Sequence, residues 1–448
     1  MLESHASSRR NDFLLTHWSR YPAWPSAVAE AFSAWKSGRW PLSLGSEFTS
    51  GAKLRWHTLS LGPQTSQPVA PYPMDVLREG DWVSVHEADG EVILWAPKLN
   101  EQAFLAQSQL ATERWSKLLT SLRQFFLERG FLEASTPILA PSPGTEAYLD
   151  SVSVRLRRWD GDEFTRYAIT SPEFHLKKLL AAGCTKIFEI ARCVRNLEGG
   201  EQHALEFHML EWYRSFASHR EIAADLVDLL VSLGGPRPRT RTWVSLVEEV
   251  MDQRSAWKHP TLTKLTSATE RSEFLRQALQ IQERDISERG PVARQPLESL
   301  LQALNVSSSA NDGVNDLLQR LWLERLENLL AASADVPCIV ENFPPALSAL
   351  ARVGTEGWAE RFELYWRGLE IANAFHELND PEENQRRWAR DLEEKRRSGR
   401  PEVPLDDELS EAFAQGVPPA GGIALGVERL AMALWRVEKI NEVRPFVY

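Results

Sequence analysis

The chain has few cysteines: three among 448 residues, Cys184, Cys193 and Cys338, each isolated in an apolar or loop context. They form neither a disulfide framework nor a zinc-ligand spacing, and a reducing cytoplasm suits them best. No apolar run reaches the roughly 18 residues of a membrane-spanning helix, so no membrane is expected. The opening Met1-Leu2-Glu3-Ser4-His5-Ala6 has no basic stretch leading into an apolar one, so no secretory signal is expected. Positive charge is also short: 51 Lys and Arg against 62 Asp and Glu give a net charge of −11. That balance argues against a large nucleic-acid footprint, which rests on clustered Lys and Arg, but leaves room for a local basic patch. Apolar and charged fractions of 43% and 25% are ordinary for a globular protein.

Residues 1–100 differ from the rest. They hold seven of the tryptophans (Trp18, Trp24, Trp35, Trp40, Trp56, Trp82 and Trp95), punctuated by proline, glycine and serine. Alternation through Asp81-Trp82-Val83-Ser84-Val85-His86 and Glu91-Val92-Ile93-Leu94-Trp95, around Asp89-Gly90, predicts a β-hairpin. This region reads as a separate β-rich appendage, or, by a weak resemblance of its hairpin to the last strands of an OB barrel, as a small, degenerate OB-like barrel. Over 102–130, apolar residues recur at steps of three and four, which predicts a helix ended by Gly130 as its left-handed cap.

Lys186-Ile187-Phe188-Glu189-Ile190-Ala191-Arg192-Cys193-Val194-Arg195 and Leu205-Glu206-Phe207-His208-Met209-Leu210-Glu211-Trp212-Tyr213 flank a polar loop and predict a long antiparallel hairpin. Strand alternation puts Phe207, Met209, Glu211 and Tyr213 on one face. An aromatic ring, a carboxylate and a phenol together suit a site better than a core. Upstream, Ser171-Pro172-Glu173 reads as a helix start, with Ser171 as N-cap and Pro172 in the first turn. Residues 242–335 read as helical and polar, with charges on a solvated face. In Glu363-Leu364-Tyr365-Trp366-Arg367-Gly368-Leu369-Glu370, the Arg367-Gly368 turn pairs Tyr365 with Glu370 and Glu363 with Ala372. Glu363 and Glu370 then share a face, either as solvated acids or as ligands of a cation. Asn373, Phe375 and Glu377 fall on the opposite face unless a β-bulge intervenes between Glu370 and Asn373, and we expect one there. Finally, Gly421-Gly422-Ile423-Ala424-Leu425-Gly426 leads into an apolar helix carrying Arg429.

These motifs, in this order over 113–447, resemble those of the class II aminoacyl-tRNA synthetases, in the lysyl branch that includes the ligases modifying elongation factor P. The resemblance implies an α+β catalytic fold over 101–448, an antiparallel β-sheet flanked by helices. The segment 242–335 would be an insertion and 1–100 a small β-rich appendage. Residues 131–137 match motif 1, which implies a homodimer. The hairpin matches motif 2 and implies ATP-dependent activation of an amino acid as its adenylate. Arg195 and Arg429 would be the catalytic cations, Arg195 on the α-phosphate and Arg429 on the γ-phosphate side. Arg429 and Phe207 would sandwich the adenine. Asn196, Leu197, His203, Glu370, Ile371 and Gly426 fall at positions around ATP, and Glu363 and Glu370 would hold Mg2+. No general base is needed, because a carboxylate is already ionised at neutral pH.

At the other end, Glu211, Tyr213 and Glu377 would hold a side-chain ammonium. Ser171, Pro172 and Glu173 would take a second one, with Asn373, Phe375 and Ala424 completing the pocket. Ala424 replaces the glycine usual in lysyl-tRNA synthetases, which points to (R)-β-lysine and to elongation factor P as acceptor. Two departures stand out: Leu197 replaces a glutamate and Ala204 an asparagine, both usually ATP contacts, while Glu198 offers a carboxylate one residue on. The alternatives are a tRNA-aminoacylating ligase, less favoured by the acidic charge, and a non-catalytic regulator.

Overall fold

The protein is described from a computed structural model that covers residues 102–444, apart from 310–311 and 332–334, and four strands within the first hundred residues. The chain divides into two compact units, Met1–Arg114 and Trp115–Tyr448. In the first, β1 (Ser19–Arg20), β2 (His57–Ser60), β3 (Trp82–Ala88) and β4 (Glu91–Trp95) form a sheet in the order β1-β3-β4-β2. The expected hairpin pairs β3 with β4, Ala88 standing opposite Glu91. Whether a barrel forms is a question that lies outside the described residues.

Helix α1 (Gln102–Glu128) ends as expected: Gly130 has φ +77°, and the Phe131 and Gly130 amides donate to the Phe126 and Leu127 carbonyls. The second unit is built on an eight-stranded sheet, in the order β11-β12-β13-β14-β15-β10-β9-β5. Its strands are β5 (Leu132–Glu133), β9 (Lys186–Val194), β10 (Glu206–Ser215), β11 (Arg239–Thr242), β12 (Cys338–Phe343), β13 (Ala359–Trp366), β14 (Leu369–His376) and β15 (Ala420–Gly426). Only the outermost pairs, β5–β9 and β11–β12, are parallel. A smaller sheet of β6 (Leu139–Ala140), β7 (Ser153–Arg157) and β8 (Glu163–Ala168) precedes α2 (Glu173–Ala181).

One face of the large sheet is packed. Phe188 and Trp212, opposite each other in register, meet Phe126 of α1 at centroid distances of 4.9 and 5.0 Å. A buried ring such as Phe126 contributes roughly 1.5–3 kcal/mol. Helices α3 (His219–Ser232) and α6 (Val427–Trp435) share this core. The other face carries the site, bordered by α2, α4 (Pro381–Arg397) and α5 (Asp407–Gln415).

Three expectations need correction. Helix α2 starts at Glu173, so Pro172 is the N-cap residue; Ser171 still helps, because its Oγ accepts from the Glu173 amide at 3.0 Å. The segment between Trp243 and Ala331 is helical but not merely polar. Trp243, Leu246, Leu275, Leu300 and Leu317 form a core that packs on Val340 and Tyr365. Glu363 pairs with Asn373, not Ala372, because the register shifts by one at Ile371 while Tyr365 stays opposite Glu370. That bulge brings Asn373 and Phe375 onto the face of Glu363 and Glu370.

Candidate active site

Register lines the open face into two rows. One runs Glu189, Glu211, Ala424, Asn373, Glu363 across five strands; the next runs Ile187, Tyr213, Gly422, Phe375, Arg361. Residues of both rows line a cavity of about 450 Å3.

At one end stand the cations. The Arg195 guanidinium lies 5.2 Å from the Phe207 ring centroid, donates to the Thr170 carbonyl at 3.3 Å and is 3.8 Å from Glu198 Oε2. Arg429 donates to the Glu370 carbonyl at 3.0 Å and bonds His203 Nε2. Burial and the neighbouring Arg429 hold the His203 pKa below its usual value, so a neutral ring accepts that bond. Arg195, not Arg429, is the guanidinium seen over Phe207. Glu428 is buried and accepts from the His208 amide and ring Nδ1, both at 2.9 Å.

Glu370 lines the cavity, and burial, then the charge of Glu363, raises its pKa to about 7. Glu363 itself accepts from Arg361 and Tyr365. Arg361, which also donates to Asn373 Oδ1 at 3.1 Å, went unremarked in the sequence. The donor set fits Mg2+: the oxygens are hard, and burial beside a second carboxylate is what raises the pKa of Glu370, an arrangement a cation would relieve.

At the other end lie carboxylates. Glu211 is wholly buried and is reached through residues that line the cavity: Ser171 donates to its Oε1, and the Tyr213 hydroxyl to its Oε2 at 3.0 Å. Burial, then Glu173, raises its pKa to about 8, and no ion pair reaches it among the described residues. Glu377 and Glu173 are different. The Lys177 ammonium, almost wholly buried, stands 2.7 Å from Glu377 Oε2 and 2.6 Å from Glu173 Oε1. Burial alone would lower the lysine's pKa, but Glu173 and Glu377 raise it. For Glu377 burial pulls upward and Lys177 downward; with the ammonium so close, the ionised pair dominates. The two buried acids expected to await one substrate ammonium thus have separate fates. Lys177 sits four residues after Glu173 on a helix, a spacing that could have revealed it. Gly422 is equally specific: a Cβ there would stand 2.2 Å from Glu377 Oε1 and 2.3 Å from Tyr213 Cε1.

A family profile described as "tRNA synthetases class II (D, K and N)" matches residues 105–448. The chain belongs to the class II tRNA synthetase family. Among its relatives, a protein from Haemophilus influenzae named elongation factor P–(R)-β-lysine ligase is 34% identical over 334 residues, 74% of this chain and 93% of its own. Proteins of the same name from Haemophilus ducreyi and Salmonella paratyphi A are 32% and 31% identical, over 79% and 80% of this chain and 96% and 98% of theirs.

Of the residues that resemblance singled out in this class II chain, Arg195, His203, Phe207, Glu370, Ile371, Gly426 and Arg429 line the cavity at the cationic end. Ser171, Glu173, Tyr213, Asn373, Phe375, Glu377 and Ala424 line the rest. Glu211 and Glu363 stand behind their hydrogen-bond partners, and Pro172, Asn196 and Leu197 lie off the cavity. The Asn196 amide donates to the Asp150 carbonyl at 2.8 Å. Leu197 has φ +64° and is 80% exposed, and this left-handed residue rotates Glu198 into the lining instead. Replacing Leu197 by glutamate is therefore expected to leave the KM for ATP within about twofold, whereas Glu198→Ala raises it roughly two- to tenfold, the worth of one hydrogen bond. Steady-state kinetics on the two variants measures both effects.

Proposed function

We propose that this chain activates a lysine-type amino acid, (R)-β-lysine, as its adenylate with ATP and transfers it to a lysine side chain of elongation factor P. Glu211 carries the reading: a wholly buried carboxylate with no cationic partner among the described residues, six residues along the hairpin strand from Leu205, the backbone partner of Arg195. Six residues span roughly 20 Å of strand, a length that suits an aminoacyl-adenylate. The names of the relatives support the substrate and acceptor.

In this reading Arg195 holds the substrate carboxylate beside the α-phosphate of ATP. A carboxylate oxygen attacks the α-phosphorus and pyrophosphate leaves. Negative charge concentrates there, and a preorganised guanidinium stabilises it most. Arg429 neutralises the departing side. Glu370 and Glu363 would hold Mg2+, which supplies charge neutralisation on the phosphates. Glu211 fixes the far ammonium, so that binding energy at the side chain aligns the carboxylate. The acceptor lysine's amine then attacks the activated carbonyl and AMP leaves. A translation factor as acceptor puts the reaction in the cytoplasm; no helix among the described residues is long and apolar enough to cross a membrane. Exposed Leu127, Leu132 and Ile138 beside the edge strand β5 support a homodimer through motif 1.

The test is ATP–pyrophosphate exchange driven by (R)-β-lysine or lysine, followed by acceptor choice. Exchange followed by transfer to elongation factor P is expected. Transfer to tRNA alone would favour an aminoacyl-tRNA ligase, and no exchange with any cationic amino acid would favour a regulator.

A further inference from the structure

A cluster of metal-ligating side chains lies behind the sheet, outside the cavity. His219, Glu360 and His376 each bring one ligand atom within 4.8 Å of the others. Strand alternation explains the placement. Arg361 and Phe375 belong to the open face, so Glu360 on β13 and His376 on β14 fall on the packed one. Gly421 of β15 stands opposite His376, and a Cβ there would meet the Ser218 carbonyl oxygen and Ile222 Cγ1, each at 2.6 Å. Glycine at that position lets the start of α3 press onto the sheet, which sets His219, the first residue of the helix, beside His376.

These side chains do not fully satisfy one another. Both imidazoles are more than nine-tenths buried, His219 at 8% exposure and His376 at 9%. His376 Nδ1 stands 2.8 Å from Glu360 Oε2, but His219 Nδ1 has no hydrogen-bond partner among the described residues. A buried polar atom left so is costly and calls for a partner. Burial lowers the pKa of both rings and keeps them neutral, the form that binds a metal. Positive charge is present too. Arg352 donates to both Glu360 oxygens, to Oε1 at 3.2 Å, and the charge of Arg220 acts on His219. The Arg352 side chain is 46% exposed, so it has solvent to turn into, whereas the two rings are held in place. A divalent cation taking the carboxylate from Arg352 would satisfy the imidazoles as well.

We propose that His219, Glu360 and His376 form a zinc site that fastens the start of α3 to the end of β14. Two imidazoles and a carboxylate are a ligand set that zinc takes, at bonds of about 2.0–2.2 Å, and a water from the exposed side would complete four-coordination. Ligand atoms on such an ion stand roughly 3.4 Å apart, so the trio closes by about 1.5 Å at most, a matter of side-chain rotation. The site is independent of the activation reaction. It nevertheless borders the cavity through the backbone, because Glu377, which pairs with Lys177, directly follows His376.

The experiment titrates zinc, against a colorimetric chelator, into the full-length wild type, His219→Gln, Glu360→Gln and Arg352→Gln, with thermal melts on the same samples. The wild type is expected to bind one zinc per chain and to melt about 5 °C higher at roughly a hundredfold excess over Kd. Losing a partner that merely orients a ligand costs about 10–100-fold in metal affinity, so losing a ligand should cost about a hundredfold or more in His219→Gln and Glu360→Gln. Arg352→Gln frees the carboxylate and should instead tighten zinc binding, by roughly two- to fivefold, the worth of a part-exposed ion pair. Glu360→Gln, at a partly exposed position, decides the matter if His219→Gln fails to fold. A wild type that binds no zinc, ligand variants that bind it as the wild type does, or an Arg352→Gln that binds it no tighter overturns the site and leaves an ion-pair network in its place.

Discussion

Replacing Glu211 by glutamine raises the melting temperature of the ligand-free protein while lowering kcat/KM for the amino acid roughly a hundred- to a thousandfold. The activity loss follows from removing the one wholly buried carboxylate whose ion-pair partner would be the substrate; breaking such a pair costs about 3–5 kcal/mol. The stability gain follows from the same burial. Burial, then the charge of Glu173, raises the folded-state pKa of Glu211 to about 8 from the ordinary carboxylate value of about 4.5. Its contribution to stability is therefore complete below about pH 4.5 and is lost as pH rises through about 8. Glutamine can accept from one of the two hydroxyls, Ser171 or Tyr213, and donate to the other once that hydroxyl turns, and it has no charge to bury. The gain is a few kcal/mol at most, each shifting the midpoint by roughly 2–4 °C, and it should be larger at pH 8 than at pH 5. Thermal melts at the two pH values and exchange kinetics measure both sides. A variant less stable at pH 8, or one with normal kinetics, would remove Glu211 from the ammonium site. Glu377→Gln should behave differently, because it strips Lys177 of one of two partners and so lowers stability as well as activity.

The second large effect is expected from Gly422→Ala. The added methyl would overlap both Glu377 Oε1 and Tyr213 Cε1, so both side chains would have to shift into the cavity they line and away from Lys177 and Glu211. Overpacking costs about 1–3 kcal/mol, and displacing the two side chains also removes their polar contacts. We expect the KM for the amino acid to rise roughly a hundredfold and ATP-dependent thermal stabilisation to stay within about twofold of the wild-type binding constant. The cationic end lies further along β15, at Gly426, where a Cβ would meet only Arg429 at 3.7 Å or beyond. A normal amino-acid KM in this variant would mean that Glu377 and Tyr213 do not face the substrate.

Much of this was legible in the sequence, for identifiable reasons. Alternation alone put Phe207, Met209, Glu211 and Tyr213 on one face, because strand periodicity is local. The bulge at Ile371 was legible as a conflict: Glu370 and Asn373 could share a face only if one residue were extra, and the register shows that extra residue. What stayed hidden depends on side-chain direction or on distant partners. Lys177 reads as one more helix lysine until Glu377, two hundred residues on, arrives beside it. Arg361 likewise joins Glu363 and Asn373 only through sheet register. The left-handed φ of Leu197 has no sequence signature at a leucine, although Glu198, which lines the cavity, had offered itself as the carboxylate one residue on. The insertion looked polar because its charges crowd the exposed faces of short helices, while the leucines between them build a core.

In the reading proposed above, a cationic amino acid activated in this cavity is joined to elongation factor P. Intact-mass analysis of elongation factor P after incubation with the protein, ATP, Mg2+ and (R)-β-lysine tests it most directly. The expected result is a mass gain of one β-lysyl residue, on a lysine side chain, absent without ATP and absent with Glu211→Gln. An unmodified factor, in a reaction where the same enzyme charges tRNA or performs no pyrophosphate exchange, would contradict it.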